Sequence, residues 1–130
     1  MILATSALVA ILTGEPEAEP LLDAAVAAPG LRMSAGTALE ASIVLDSRSA
    51  PQQRRRLDDL LDALAVEIVP FDADQWVLAR AAYQDFGKGS GHRAQLNLGD
   101  CFAYALHRQS GEPLLYVGHD FERAGVPRAW

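Results

Sequence analysis

The sequence predicts a three-layer α/β/α domain built on a short, mostly parallel central sheet. Short apolar runs alternate with longer helix-periodic segments along the whole chain, and proline or glycine breakers separate them. No repeat, low-complexity tract or long linker divides the 130 residues, so positions 1–130 read as one domain. Half of the residues are apolar, and a chain of this length can bury roughly two-thirds of its unfolded surface without disulfides or a structural metal. One cysteine excludes a disulfide framework or a Cys-rich zinc site and fits a reducing cytoplasm.

Met1 to Ala4 opens an apolar strand, after which Thr5-Ser6 are placed to cap a helix over Ala7 to Thr13. Pro16 suits the first turn of a second helix, Glu17 to Ala27, which Pro29-Gly30 terminates. Leu31 to Ala35 reads as a second strand, and Thr37 opens a helix reaching about Arg48. The helix beginning at Pro51 carries Leu57, Leu60, Leu61 and Leu64 as one apolar stripe. Glu67 to Pro70 is a third strand, and Asp72 caps a helix through Phe86 on which Trp76, Ala79, Tyr83 and Phe86 share a face. Gly87 to Gln95 is a loop, Leu98 to Arg108 a helix apolar nearly all round, and Pro113 to Val117 a fourth strand before the turn Gly118-His119-Asp120. Strands separated by helices of this length pair in parallel through right-handed crossovers. In such sheets the reactive residues collect just past the carboxyl ends of the strands.

The apolar start from Met1 to Leu12 is short of the roughly twenty residues of a membrane span and lacks the charged flank of a leader, so a soluble protein is expected. Formal net charge is −6, and Lys88 is the only lysine. That balance argues against duplex binding through a basic face, although metal ions can supply positive charge locally.

Three carboxylates stand near strand ends: Glu40 early in the helix after strand two, Asp100 at the start of the buried helix, and Asp120 after strand four. Converging carboxylates repel one another unless a divalent cation neutralises them, and hard oxygen ligands suit Mg²⁺ or Mn²⁺, which can activate water against a phosphodiester. Taken singly, Thr37 to Glu40 and Asn97 to Asp100 each have the spacing of a capping box, and Asp120 suits a turn.

The joint pattern goes further. Met1-Ile2-Leu3-Ala4-Thr5-Ser6-Ala7-Leu8-Val9-Ala10-Ile11-Leu12 is similar to the opening of the PIN-domain toxins of the VapC family. Leu39-Glu40-Ala41-Ser42-Ile43-Val44 resembles their second motif, the run from Gly91 through Asp100 to Ala105 their third, and Pro113 to Phe121 their fourth, in order over nearly the whole chain. The resemblance implies a PIN-like fold and a Mg²⁺-dependent endoribonuclease (Mn²⁺ serving in its place) that hydrolyses RNA phosphodiesters. It also implies a toxin of a toxin–antitoxin pair, held inactive by a VapB-type antitoxin, forming a homodimer or a larger toxin–antitoxin complex. Glu40, Asp100 and Asp120 match the family's metal-site acids, and Thr5 and Ser6 a hydroxyl pair beside them.

One departure is serious. The family's first acid falls at position 4, where this chain has Ala4, and a methyl group ligates nothing. Two readings are open: a deliberate inactivating change that lets a growth-arresting ribonuclease be produced safely, favoured by the intact remainder, or a natural degenerate, non-catalytic protein that binds antitoxin or RNA without cleavage. A smaller departure is Ala124-Gly125, where many relatives carry Thr-Asp.

Lys88, His92 and Arg93 lie in the loop before Asp100 and are candidates for contacting RNA phosphates, against a solvated loop as the plain alternative. Arg54-Arg55-Arg56 reads as a solvated helix start, and the histidines lack zinc spacing. Cys101, Trp76 and Tyr83 read as core, with the helix of the latter two a candidate dimer face.

Overall fold

A computed structural model describes residues 1–48 and 51–130, without the side chains at 48 and 51–54. Its elements run in the order β1 (Ile2–Leu3), α1 (Thr5–Thr13), α2 (Ala18–Ala27), β2 (Arg32–Ser34), α3 (Ala35–Arg48), α4 (Pro51–Ala63), β3 (Glu67–Val69), α5 (Ala73–Phe86), α6 (Leu98–Ser110), β4 (Leu114–Leu115) and α7 (Asp120–Arg123). The strands form one sheet in the order β3-β2-β1-β4, and every pairing is parallel. Register places Ile2 beside Leu114, Leu3 beside Leu115 and Met33 beside Ile68.

Side chains alternate across a strand, and here that alternation sorts the core into two layers. Ile2 and Leu114 pack with Ala79, Ala82 and Leu106 of α5 and α6. Leu3, Leu115 and Met33 face the other way, against Leu8, Leu21 and Ala25 of α1 and α2. Leu45 of α3 and Leu57 of α4 bury a smaller cluster with Val9. At the amino edge of the sheet, Glu112 bonds the Met1 ammonium at 2.9 Å and Arg32 at 2.6 Å. At the carboxyl end, the Tyr116 hydroxyl donates to Val126 O and the Trp130 indole to Tyr116 O, both at 2.7 Å, fastening the last residues to the sheet.

Three local expectations need correcting. Thr5 and Ser6 do not cap α1; they lie in its first turn, and the N-cap is Ala4, with no side-chain cap bond. The cause is the ladder, since Ala4 N–H donates to Leu115 O at 3.0 Å and sheet pairing runs to the residue at which the helix begins. Thr37 does not open α3, which starts at Ala35, with the Ser34 hydroxyl accepting from Gly36 N–H at 3.2 Å. Trp76 and Tyr83 are 53% and 42% exposed rather than core. The stripe that α5 buries is Gln75, Ala79 and Ala82, one residue round the helix, with the Gln75 amide donating to Pro70 O and to Gln109 Oε1. Arg55 and Arg56 are exposed as a solvated face requires, and Arg54 lies outside the described side chains. Among the described residues no helix is long and apolar enough to cross a membrane.

Candidate active site

Strands β1 and β4 end side by side, and the segments that leave their carboxyl ends wall a cleft of about 380 Å³. Thr5 and Ser6 enter it from the first turn of α1, Glu40 from α3, Asn97 and Asp100 from the start of α6, and Gly118 from the turn after β4. The Ser6 hydroxyl accepts the Val117 N–H at 3.1 Å and so ties the two strand ends together. Thr5 Oγ1 is buried without a hydrogen-bond partner among the described residues.

Asp100 does two jobs at once. Its Oδ2 accepts the Asn97 N–H at 2.9 Å while Asn97 Oδ1 accepts the Asp100 N–H at 2.9 Å, a complete capping box. The plain reading of this aspartate is therefore correct, and it does not exclude the other, because the capped residue also lines the cleft. Burial, followed by the charges of Asp120 and Glu40, pushes the Asp100 carboxyl up to about 6, against the pull of its Asn97 bond and of Lys88. Glu40 therefore shares both the cleft and the electrostatics of Asp100. Asp120, exposed at the start of α7, joins them through its field rather than as part of the cleft wall.

The Glu40 carboxylate rests on Gly99, where a Cβ would overlap it. Gly36 plays the matching part between helices, its missing Cβ making room for the Phe102 ring. Glu15, from the turn after α1, also reaches the cleft. Sequence reasoning passed over Glu15 and Gly99. A glycine inside a helix, which costs about 1 kcal/mol relative to alanine, was the available signal for the second.

The loop residues divide. Lys88 is near enough for its charge to favour ionised Asp100. His92 turns inward, its ring 5.0 Å from that of Phe86 and its Nδ1 accepting the Ala94 N–H at 3.1 Å. Arg93 lies away from the cleft wall, with His119, Glu122 and Arg123. Cys101 is core as expected, and burial pushes its thiol up to about 11.

The Asp100 shift has a measurable consequence. A carboxyl that holds its proton more tightly when folded contributes stability that is complete below its unfolded value of 3.8 and lost as pH rises through about 6. The penalty above pH 6 is on the order of 3 kcal/mol, the stabilising Asn97 bond at the helix start being already contained in the shift. Metal-free Asp100→Asn is expected to melt several degrees above the parent at pH 7.5, with the gap closing towards pH 4. Thermal melts across that range check it, and a gap independent of pH would show that Asp100 is not strained by its neighbours.

Comparison with known proteins agrees with the architecture. The PIN domain family matches residues 1–127. The chain is 49% identical over 129 residues to Ribonuclease VapC28 of Mycobacterium tuberculosis, covering 99% of this chain and 97% of that protein. It is 51% identical over 127 residues to Ribonuclease VapC of Mycolicibacterium smegmatis, covering 97% of each. Among solved structures, Mycobacterium tuberculosis VapC20, a sarcin-ricin loop cleaving toxin, superposes with a TM-score of 0.75 at 17% identity, over 97% of this chain and 95% of that one. A toxin–antitoxin complex from Klebsiella pneumoniae gives 0.73 at 21% identity, over 99% and 97%. The last two show a shared fold, whereas the close relatives show kinship. This chain belongs to the PIN-domain family and, within it, to the VapC ribonucleases, toxin endoribonucleases whose chemistry is in general metal-dependent.

Proposed function

We propose that the cleft of Thr5, Ser6, Glu40 and Asp100, with Asp120 at its rim, is the ribonuclease site of a cytoplasmic VapC-type toxin, and that Ala4 leaves it impaired. The observation that carries this is the convergence of Thr5, Ser6, Glu40 and Asp100 on one cleft at the carboxyl ends of β1 and β4, with Asp120 near enough for its charge to help raise the Asp100 carboxyl. The ion is Mg²⁺, with Mn²⁺ as a substitute, because the donors are hard oxygens. Donor chemistry suits such an ion, but donor number does not: among the described residues no three Asp, Glu, His or Cys side chains are grouped to hold one. Ala4, 2% exposed at the end of β1, contributes nothing to it.

The same acids account for a partner. A VapB-type antitoxin that presents an arginine to Glu40 and Asp100 replaces the cation with bidentate hydrogen bonds. Antitoxin binding therefore survives the loss at position 4. The homodimer is assigned to the face of α5 and α6, where Trp76, Tyr83 and Leu98 (72% exposed) wall an apolar groove with Phe71 and Phe102.

Titration with Mn²⁺ tests the site. The chain is expected to bind the ion at least about tenfold more weakly than Ala4→Asp, since it lacks an anionic ligand at position 4. Equal affinities would place position 4 outside the metal shell.

A further inference from the structure

RNA is a polyanion and this chain carries a formal net charge of −6, so a bound strand needs positive charge concentrated where it runs. Besides Lys88 near Asp100, that charge gathers on the far side of the 118–120 turn. Arg93, from the loop before α6, meets His119, Glu122 and Arg123 around a polar pocket of about 350 Å³. Glu122 is already engaged, its Oε2 lying 3.0 Å from His119 Nδ1 and 3.8 Å from Arg128 Nη2. Arg128 is further held by its bond to Gly118 O at 3.2 Å. Neither Arg93 nor Arg123 has an ion pair within 4.0 Å among the described residues, although the Arg123 charge helps hold Glu122 ionised, so two guanidinium groups face one pocket without a close carboxylate.

Gly118 walls the acidic cleft and His119 the basic pocket. The two sites therefore adjoin, with the Gly118–His119 peptide in the wall between them. We infer that Arg93 and Arg123 form a phosphate subsite that holds the RNA backbone next to the phosphate seated in the cleft. The subsite changes the roles expected of the loop: Arg93 works with Arg123 across the turn, while His92 is occupied in packing. Two planar guanidinium forks recognise phosphate oxygens without reading bases, so the subsite positions the strand and leaves sequence choice to other contacts. The inference rests on RNA being the substrate of the adjoining cleft.

The chain as it stands suits the test, because its impaired cleft lets binding be measured without cleavage. Anisotropy of a labelled single-stranded RNA of mixed sequence, without divalent metal, is followed from 50 to 200 mM salt, roughly the range over which phosphate contacts reveal themselves. Arg93→Gln and Arg123→Gln are each expected to weaken binding on the order of tenfold at low salt and to lower the slope of log K against log salt by about 0.7. Glu122→Gln tightens binding, and Arg108→Gln, at the far end of α6, changes nothing. All four sites are exposed, and melting curves confirm that the variants fold. Parent-like affinity and slope in Arg93→Gln and Arg123→Gln would overturn the subsite while leaving RNA as substrate. An equal loss in Arg108→Gln would reduce it to diffuse attraction. No binding by the parent would bring down the substrate reading and the subsite together.

Discussion

Ala4→Asp should give a ribonuclease. The substitution restores an acid at the end of β1, where the backbone is extended (φ −90°, ψ 158°) and the N–H is already bonded to Leu115 O. Cleavage of single-stranded RNA is expected to rise by at least two orders of magnitude with Mg²⁺ present, roughly what a misplacement of about 1 Å at a reacting centre forfeits. EDTA should abolish it, and adding Asp100→Asn should abolish it again. The same change should destabilise the metal-free protein. Aspartate at an N-cap gains about 1 kcal/mol, but a carboxylate at a site 2% exposed, among Tyr116, Phe121 and Cys101, costs several. Burial wins, so the metal-free variant melts below the parent and Mn²⁺ raises it. A folded, metal-loaded Ala4→Asp protein that is inert on a broad RNA panel would refute the site; the non-catalytic binder would then be the better account.

Gly99→Ala, introduced beside Ala4→Asp, should remove that activity without unfolding the protein. The new methyl overlaps the Glu40 carboxylate, which ends a flexible chain and can swing aside, so the clash relaxes at the expense of Glu40's position. Alanine is the better helix former by about 1 kcal/mol, and the melting temperature is expected to hold or rise. Cleavage should fall about a hundredfold and Mn²⁺ affinity with it. Full activity in this double variant would mean that the placement of Glu40 is irrelevant to catalysis.

The layered parallel fold was legible because its breakers are strong: Pro29-Gly30, Asp72 and the glycine-rich loop before α6 each stop or start an element where expected. Asn97 and Asp100 were legible as a cap because the motif is local. What failed depended on neighbours. Periodicity shows that α5 has an apolar face but not which of two adjacent faces meets the sheet, so Trp76 and Tyr83 were placed inside when Gln75 and Ala82 are there instead. A capping-box spacing at Thr37 misled because Ser34 had already started the helix. Candidate site acids were legible from their places near strand ends and from likeness to a family, and only the folded chain brings Asp100, Glu40 and the field of Asp120 together. Glu15 and Gly99 belong to the cleft through contacts between elements distant in sequence, which no local pattern announces.

The two sites nearest the strand ends differ in how tightly they bind activity to architecture. Asp100 closes the capping box that starts α6, so any replacement there that cannot accept the Asn97 N–H loosens a helix, whatever it does to the cleft. Position 4 has no such second duty: its side chain caps nothing, and its sheet bond comes from the backbone, which any residue except proline supplies. A lineage under pressure to disarm the toxin, while keeping a folded protein for its antitoxin to hold, is thus expected to meet little structural resistance at residue 4, and at residue 100 to meet resistance to every replacement except asparagine, which keeps the acceptor for the Asn97 N–H. Silenced members of this fold should carry their first lesion at the end of β1 or as asparagine in place of the capping-box aspartate, while replacements at residue 100 that lack an acceptor should be rare.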